Sequence, residues 1–272
     1  MGQGSIGIFD SGVGGLTVMR EVVRQMPYER VVYFGDTARV PYGGRSGSTI
    51  ERYAIENTIF LIDKKIKILL VACNTASAYA VDKLRKIFRI PIVDVIDPSV
   101  KEAVDLSRDG CIAVLGTKAT IASEVYQDKI RKFSSCIEIH MVACPLFVPL
   151  VEEGFVDHKL AKLAVEEYLR PLKKKKIDTV ILGCTHYPLL ENLIVEELGR
   201  DISIVNAASC CAVVLAKMLK DLSIEKREDD RGKHQYFVSD DPEGFRRLGE
   251  FFLGDPIERV DLARSFSYNL GL

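Results

Sequence analysis

The chain has 272 residues, 47% hydrophobic and 28% charged, the composition of a globular protein of one large or two modest domains. Thirty-seven Lys and Arg against 38 Asp and Glu leave a net charge of −1, without the basic excess that a nucleic-acid surface carries. The longest apolar run, residues 141–151, holds two prolines and is too short for a membrane span, and no secretory signal opens the chain, so a cytoplasmic protein without nucleic-acid or membrane partners is expected.

In chain order, short continuous apolar runs alternate with segments of helical period. Strands are predicted at 5–9, 30–34, 66–72, 90–96, 111–115, 137–142, 178–182 and 202–205. Helices are predicted at 16–25, 50–65, 76–88, 121–133 and 159–174. Continuous rather than alternating apolar strands belong to a parallel sheet with helices on both faces, so the fold class is α/β. The lysine run 173–176 reads as the solvated end of a helix. Beyond 207 come a helix near 211–222, a charged turn at 225–233, a strand at 234–238 and a helix near 243–252.

The chain also repeats itself. An offset of 111 residues lays Ile66-Lys67-Ile68-Leu69-Leu70-Val71-Ala72-Cys73 on Ile177-Asp178-Thr179-Val180-Ile181-Leu182-Gly183-Cys184 without a gap. Lys64-Lys65 then falls on Lys175-Lys176, and Asn74-Thr75 on Thr185-His186. The expected architecture is two similar parallel-sheet α/β domains, 1–95 plus 208–272 and 96–207, with the active site in the cleft between them.

Functional groups of open parallel sheets collect beyond the carboxyl ends of the strands. The loops 10–15, 35–44, 73–76 and 184–188 occupy that position. Asp10-Ser11-Gly12-Val13-Gly14-Gly15 can bring backbone N–H groups to an anion, but it lacks the third glycine of a dinucleotide loop and the Gly-Lys-Ser/Thr of a P-loop. Of seven cysteines, Cys111, Cys136, Cys144, Cys210 and Cys211 sit in or beside apolar stretches and read as buried small hydrophobes. Cys73 and Cys184 each close a strand just before an expected helix, whose N-terminal field lowers a thiol pKa. Two equivalent thiols on opposite walls of one cleft suit removal of a proton from one face of a carbon and delivery to the other. His186 can tune or relay the proton of Cys184. Zinc on Cys73, Cys184 and His186 has no CxxC or HxxxH spacing behind it, so no metal is expected. His140, His158 and His234 read as strand or surface histidines, and Glu152 as a turn residue unless its loop lines the cleft. Hydrolysis by Cys184 with His186, and simple binding of an acidic ligand, remain open on these residues.

Five motifs together resemble the glutamate racemases of the cofactor-independent aspartate/glutamate racemase family. They are Phe9-Asp10-Ser11-Gly12-Val13-Gly14-Gly15, the segment from Gly35-Asp36 to Pro41-Tyr42-Gly43, Ala72-Cys73-Asn74-Thr75-Ala76, Gly116-Thr117 with Thr120, and Gly183-Cys184-Thr185-His186-Tyr187-Pro188. The resemblance implies that Cys73 and Cys184 are the acid/base thiols, assisted by Asp10 and His186. It places Ser11, Pro41, Tyr42, Gly43, Asn74, Thr75 and Thr185 around the substrate, with Asp10 and His186 among them. Thr117, Thr120 and Glu152 form the second half's share. It also implies L- and D-glutamate as substrates, no cofactor, a homodimer, and a role in supplying D-glutamate for peptidoglycan. Consistent with that, no Schiff-base lysine is identified for the cleft.

Overall fold

The structure is a computed structural model that describes residues 4–226 and 233–263. The chain runs β1 (Ser5–Asp10), α1 (Leu16–Gln25), β2 (Val31–Gly35), α2 (Gly47–Asp63), β3 (Ile66–Val71), α3 (Asn74–Ile87) and β4 (Ile92–Asp94). It continues through α4 (Ile96–Leu106), β5 (Cys111–Gly116), α5 (Lys118–Ala122), α6 (Val125–Phe133), β6 (Glu138–Ala143), α7 (Phe147–Glu152) and α8 (Lys159–Leu169). Then follow β7 (Thr179–Gly183), α9 (Glu191–Leu198), β8 (Ser203–Asn206), α10 (Ala207–Asp221), β9 (Gln235–Val238), α11 (Pro242–Leu253) and β10 (Val260–Leu262).

The strands form two sheets, one six-stranded in the order β10-β9-β2-β1-β3-β4 and one four-stranded in the order β6-β5-β7-β8. Every pairing is parallel. The α/β class is therefore observed as two parallel sheets. Both contain the same winding: the first strand of the half lies between the second and the third, and the fourth lies outside. In the first sheet Phe9 faces Val71; in the second Gly116 faces Gly183. The central strands β1, β5 and β7 are buried on both faces, as helices on either side of a parallel sheet require. One apolar core spans both sheets, joining Ile8 and Leu70 to Val114 and Ile181. Beyond β8, α10 packs on α1, and β9 and β10 extend the first sheet past β2.

Several boundaries differ from the expectation, each for a local reason. The strand expected at 90–96 is only Ile92–Asp94, because the Asp94 carboxylate accepts the backbone N–H groups of Ile96 (2.8 Å) and Asp97 (2.9 Å) and starts α4. The helix expected at 121–133 is two helices, interrupted at Glu124, whose φ is 57°. The helix expected at 159–174 ends at Leu169, where Arg170-Pro171 tightens it into a 3₁₀ turn. Cys136 is exposed and Cys210 half-buried, so only three of the five cysteines assigned to the interior are fully buried. Of the charged turn at 225–233, residues 227–232 lie outside the described residues. Among the described residues no helix is long and apolar enough to cross a membrane.

Candidate active site

With the first strand between the second and third, each sheet has its switch point between β1 and β3, or between β5 and β7, where adjacent connections leave in opposite directions. Loops from both switch points converge on one cleft of about 430 Å³. Ser11 follows β1, Cys73, Asn74 and Thr75 follow β3, Thr117 follows β5, and Cys184, Thr185 and His186 follow β7; all eight line the cleft. Pro41, Tyr42 and Gly43 from the loop after β2 and Glu152 from the end of α7, also expected, line it as well. Asp10 and Thr120 do not reach the surface of the cleft. They are buried immediately behind it.

Cys73 caps α3: its Sγ accepts the backbone N–H of Ala76 at 3.5 Å and donates to Ser11 Oγ at 3.8 Å. The helix terminus and Ser11 favour a thiolate, but burial and the nearby Asp10 carboxylate outweigh them, and the thiol is pushed up to about 12. The expected drop toward neutrality is thus not what the surroundings of Cys73 produce. Asp10 lies beneath the loop 11–15, with one carboxylate oxygen accepting the Gly12 N–H at 2.9 Å and the other buried without a partner. Burial raises its pKa and the proximity of His186 opposes the rise.

Cys184 is placed differently. No α-helix starts behind it, because Tyr187-Pro188 leads into a 3₁₀ turn ending at Leu190. Its Sγ lies 3.9 Å from His186 Nδ1, and His186 Nε2 lies 2.9 Å from Glu152 Oε1. An ionised carboxylate can only accept, so Nε2 is the ring nitrogen that carries a proton toward Glu152, and Nδ1 is the one that faces Cys184. Burial again pushes the thiol strongly up, and Cys73, Asp10 and Glu152 add to the rise.

The two halves touch through small side chains. The hydroxyls of Thr75, Thr117 and Thr120 form a triangle with sides of 3.0, 3.2 and 3.0 Å, tying the start of α3 to the start of α5. Thr17 Oγ1 donates to the Thr185 carbonyl at 2.9 Å. A Cβ on Gly14 would stand 2.3 Å from Thr185 Oγ1 and 2.5 Å from His186 Nδ1, so only glycine lets the 11–15 loop approach the second half this closely. Tyr42 is held from below: its hydroxyl donates to Asp36 and accepts from Asn57 Nδ2 at 3.1 Å, while Arg39 binds both Asp36 and Asn57.

Part of the wall was not foreseen. Val40, Gly44, Lys118, Pro145, Val148 and Pro149 also line the cleft. Lys118, exposed at the first position of α5, is the lysine among them. The Pro145–Pro149 wall follows β6 at the same sheet edge, a position that marks it once the strand is assigned.

Comparison with known proteins gives the family. Residues 6–214 match the model of the Asp/Glu/Hydantoin racemase family. A glutamate racemase of Geobacter metallireducens is 46% identical over 256 residues, covering 94% of this chain and 95% of that protein. One from Persephonella marina is 45% identical over 262 residues, covering 96% and 98%. Among solved structures, a glutamate racemase from Francisella tularensis in complex with D-glutamate superposes with a TM-score of 0.92 at 36% identity, covering 98% of this chain and 100% of that one. An isoform from Bacillus anthracis gives 0.92 at 38% identity, covering 97% and 98%.

Proposed function

The chain belongs to the Asp/Glu/Hydantoin racemase family, and we propose that within it the protein interconverts L- and D-glutamate with Cys73 and Cys184 as paired bases. The observation that carries this reading is that two buried thiols follow equivalent strands, β3 and β7, and line one cleft. The domains are those drawn from the repeat, 1–95 with 208–272 and 96–207.

An amino-acid α-proton is far less acidic than a thiol, so its removal needs well-placed bases in a site with little water. With D-glutamate bound, the Cys73 thiolate takes the α-proton while the Cys184 thiol gives its own to the opposite face. L-glutamate leaves with the new C–H bond, Cys73 is a thiol and Cys184 a thiolate, and the reverse direction exchanges the roles. Burial raises both thiols, so a thiolate is made only with help. The substrate ammonium beside the sulfur is one source. On the Cys184 side Nδ1 of His186, held by Glu152, is another. The N–H groups at the start of α3, with Thr75 and Thr185, suit the substrate carboxylates. The unpartnered oxygen of Asn74, at the cleft wall, suits its ammonium, and the Asp10 carboxylate buried behind the wall adds negative charge there. On the same reading the enzyme works without a cofactor in the cytoplasm, as a homodimer, and supplies D-glutamate for peptidoglycan.

The Cys184–His186–Glu152 line also favours a second reading, nucleophilic hydrolysis by Cys184, which needs no second thiol. Incubation of the purified protein with L-glutamate, without added cofactor, separates the two. Loss of optical rotation with the amino acid conserved is the expected result. Unchanged glutamate beside racemised aspartate moves the substrate within the family, and no racemisation of either amino acid overturns the proposal.

A further inference from the structure

Away from the cleft, at the opposite end of the second sheet, β5 and β6 begin side by side. Cys111 faces Glu138 in the parallel register, and His140 lies two residues further along β6. Residues two apart on a strand point to the same face, so Glu138 and His140 share one side of the sheet. The Cys111 sulfur, a Glu138 carboxylate oxygen and a His140 ring nitrogen all lie within 4.8 Å of one another. His140 Nε2 is buried and stands 2.8 Å from Glu138 Oε1, at an angle that makes no hydrogen bond, and it has no other hydrogen-bond partner. A buried ring nitrogen without a partner is uncommon and needs an occupant or a reason.

We propose that Cys111, Glu138 and His140 bind a divalent transition metal of the zinc type. Thiolate, imidazole and carboxylate are the ligand types zinc takes, and three protein ligands leave the fourth tetrahedral position to water. The sulfur and nitrogen select against calcium and magnesium, which prefer oxygen alone. Bonds of about 2.0–2.3 Å put tetrahedral ligand atoms roughly 3.3–3.8 Å apart, so the trio needs only side-chain adjustment. Glu138, 60% exposed, is free to make it.

The surrounding charge favours a cation. Asp109 and Asp178 bear on Cys111 together with Glu138. Lys175 is the cation facing them, with Nζ 3.6 Å from Glu138 Oε1, and at 46% exposure it can swing into solvent when a metal replaces it. The carboxylate of Asp178 is engaged by Ser107 Oγ and the Asp109 N–H, so it supports the site without being a ligand. β5 separates Cys111 from the cleft by about 17 Å at 3.3 Å per residue, so the metal would clamp the starts of two strands and take no part in the cleft's chemistry. No sequence spacing reveals the trio, because the strand register, and not the order along the chain, brings the ligands together.

The test is an optical titration of the metal-free full chain with Co²⁺, followed by Zn²⁺. The expected result is one equivalent of cobalt with tetrahedral d–d and thiolate charge-transfer absorption, displaced by zinc. Cys111→Ser and His140→Ala should abolish that spectrum, and a Cys73→Ser/Cys184→Ser double variant should keep it. Glu138→Gln alters an exposed side chain and leaves the fold intact, so weaker cobalt binding in that variant keeps the test decisive. A missing spectrum, or one that survives Cys111→Ser and disappears with the two cleft cysteines, overturns the proposal.

Discussion

Cys73 and Cys184 follow equivalent strands of equivalently wound sheets, yet their surroundings differ. Cys73 caps the fourteen-residue α3 and rests on the Ser11 loop, so backbone N–H groups are its main support for negative charge. Cys184 precedes a 3₁₀ turn and has a histidine and a glutamate in line instead. Shared topology therefore determines where the two thiols stand, and local chain chemistry determines what surrounds each of them. A fixed dipole cannot carry a proton away, whereas an imidazole can. On the proposed two-thiol reading, the two halves of the site are alike in geometry and unlike in how each thiol is activated.

Substitution of the thiols themselves tests this contrast with the largest effect. Cys73→Ser and Cys184→Ser should each lower kcat/KM for racemisation by about 10²–10⁴-fold, the usual contribution of a positioned acid or base. A mild loss at Cys73 together with a severe one at Cys184 would point to the hydrolytic reading. His186→Asn comes next, with a loss of about 10²-fold at the lower end of the same range. The enantiomers have equal free energy, so kcat/KM must fall equally in both directions. The difference between the two sides should appear as unequal changes in kcat for L- and D-glutamate, and equal changes would remove the special link of His186 to Cys184.

The smallest effect is on stability at high pH. Burial raises Cys73 and Cys144 to about 12 and Cys210 to about 11, against roughly 8.5 in an unfolded chain. Between those limits the folded state keeps protons that the unfolded state has released. The stabilisation they give is fully present below pH 8.5 or so and is lost as pH rises toward about 12. Urea midpoints should fall steadily above about pH 9, and Cys73→Ser should make the fall shallower. A midpoint independent of pH across that range would contradict the burial of these thiols.

The fold class was legible because buried parallel strands leave continuous apolar runs, as at β1, β3, β5 and β7. The repeat made the relation between Cys73 and Cys184 visible in the sequence, through the match of 66–73 with 177–184. What stayed hidden depends on single side chains or on neighbours distant in sequence. Asp94 ends a strand by bonding two backbone amides, and Glu124 breaks a helix whose periodicity continues through it. The Tyr187-Pro188 step looked like the start of a helix equivalent to α3, and proline instead led into a 3₁₀ turn. The residues 145–149 form a cleft wall, yet an apolar run has the same appearance whether it faces a core or a ligand. Cys111 reads as a buried small hydrophobe and His140 as a strand or surface histidine, and the two meet only through the β5–β6 register.

The central claim, one thiol working on each face of the α-carbon, is tested most directly by the fate of the proton at early conversion. Unlabelled L-glutamate is converted in D₂O, and α-deuterium is measured separately in the D-glutamate formed and in the L-glutamate recovered. Two bases predict deuterium in the product with the recovered substrate still carrying its original hydrogen. Deuterium in both enantiomers at matching rates, or original hydrogen carried into the product, would contradict the paired thiols and leave a single base serving both faces.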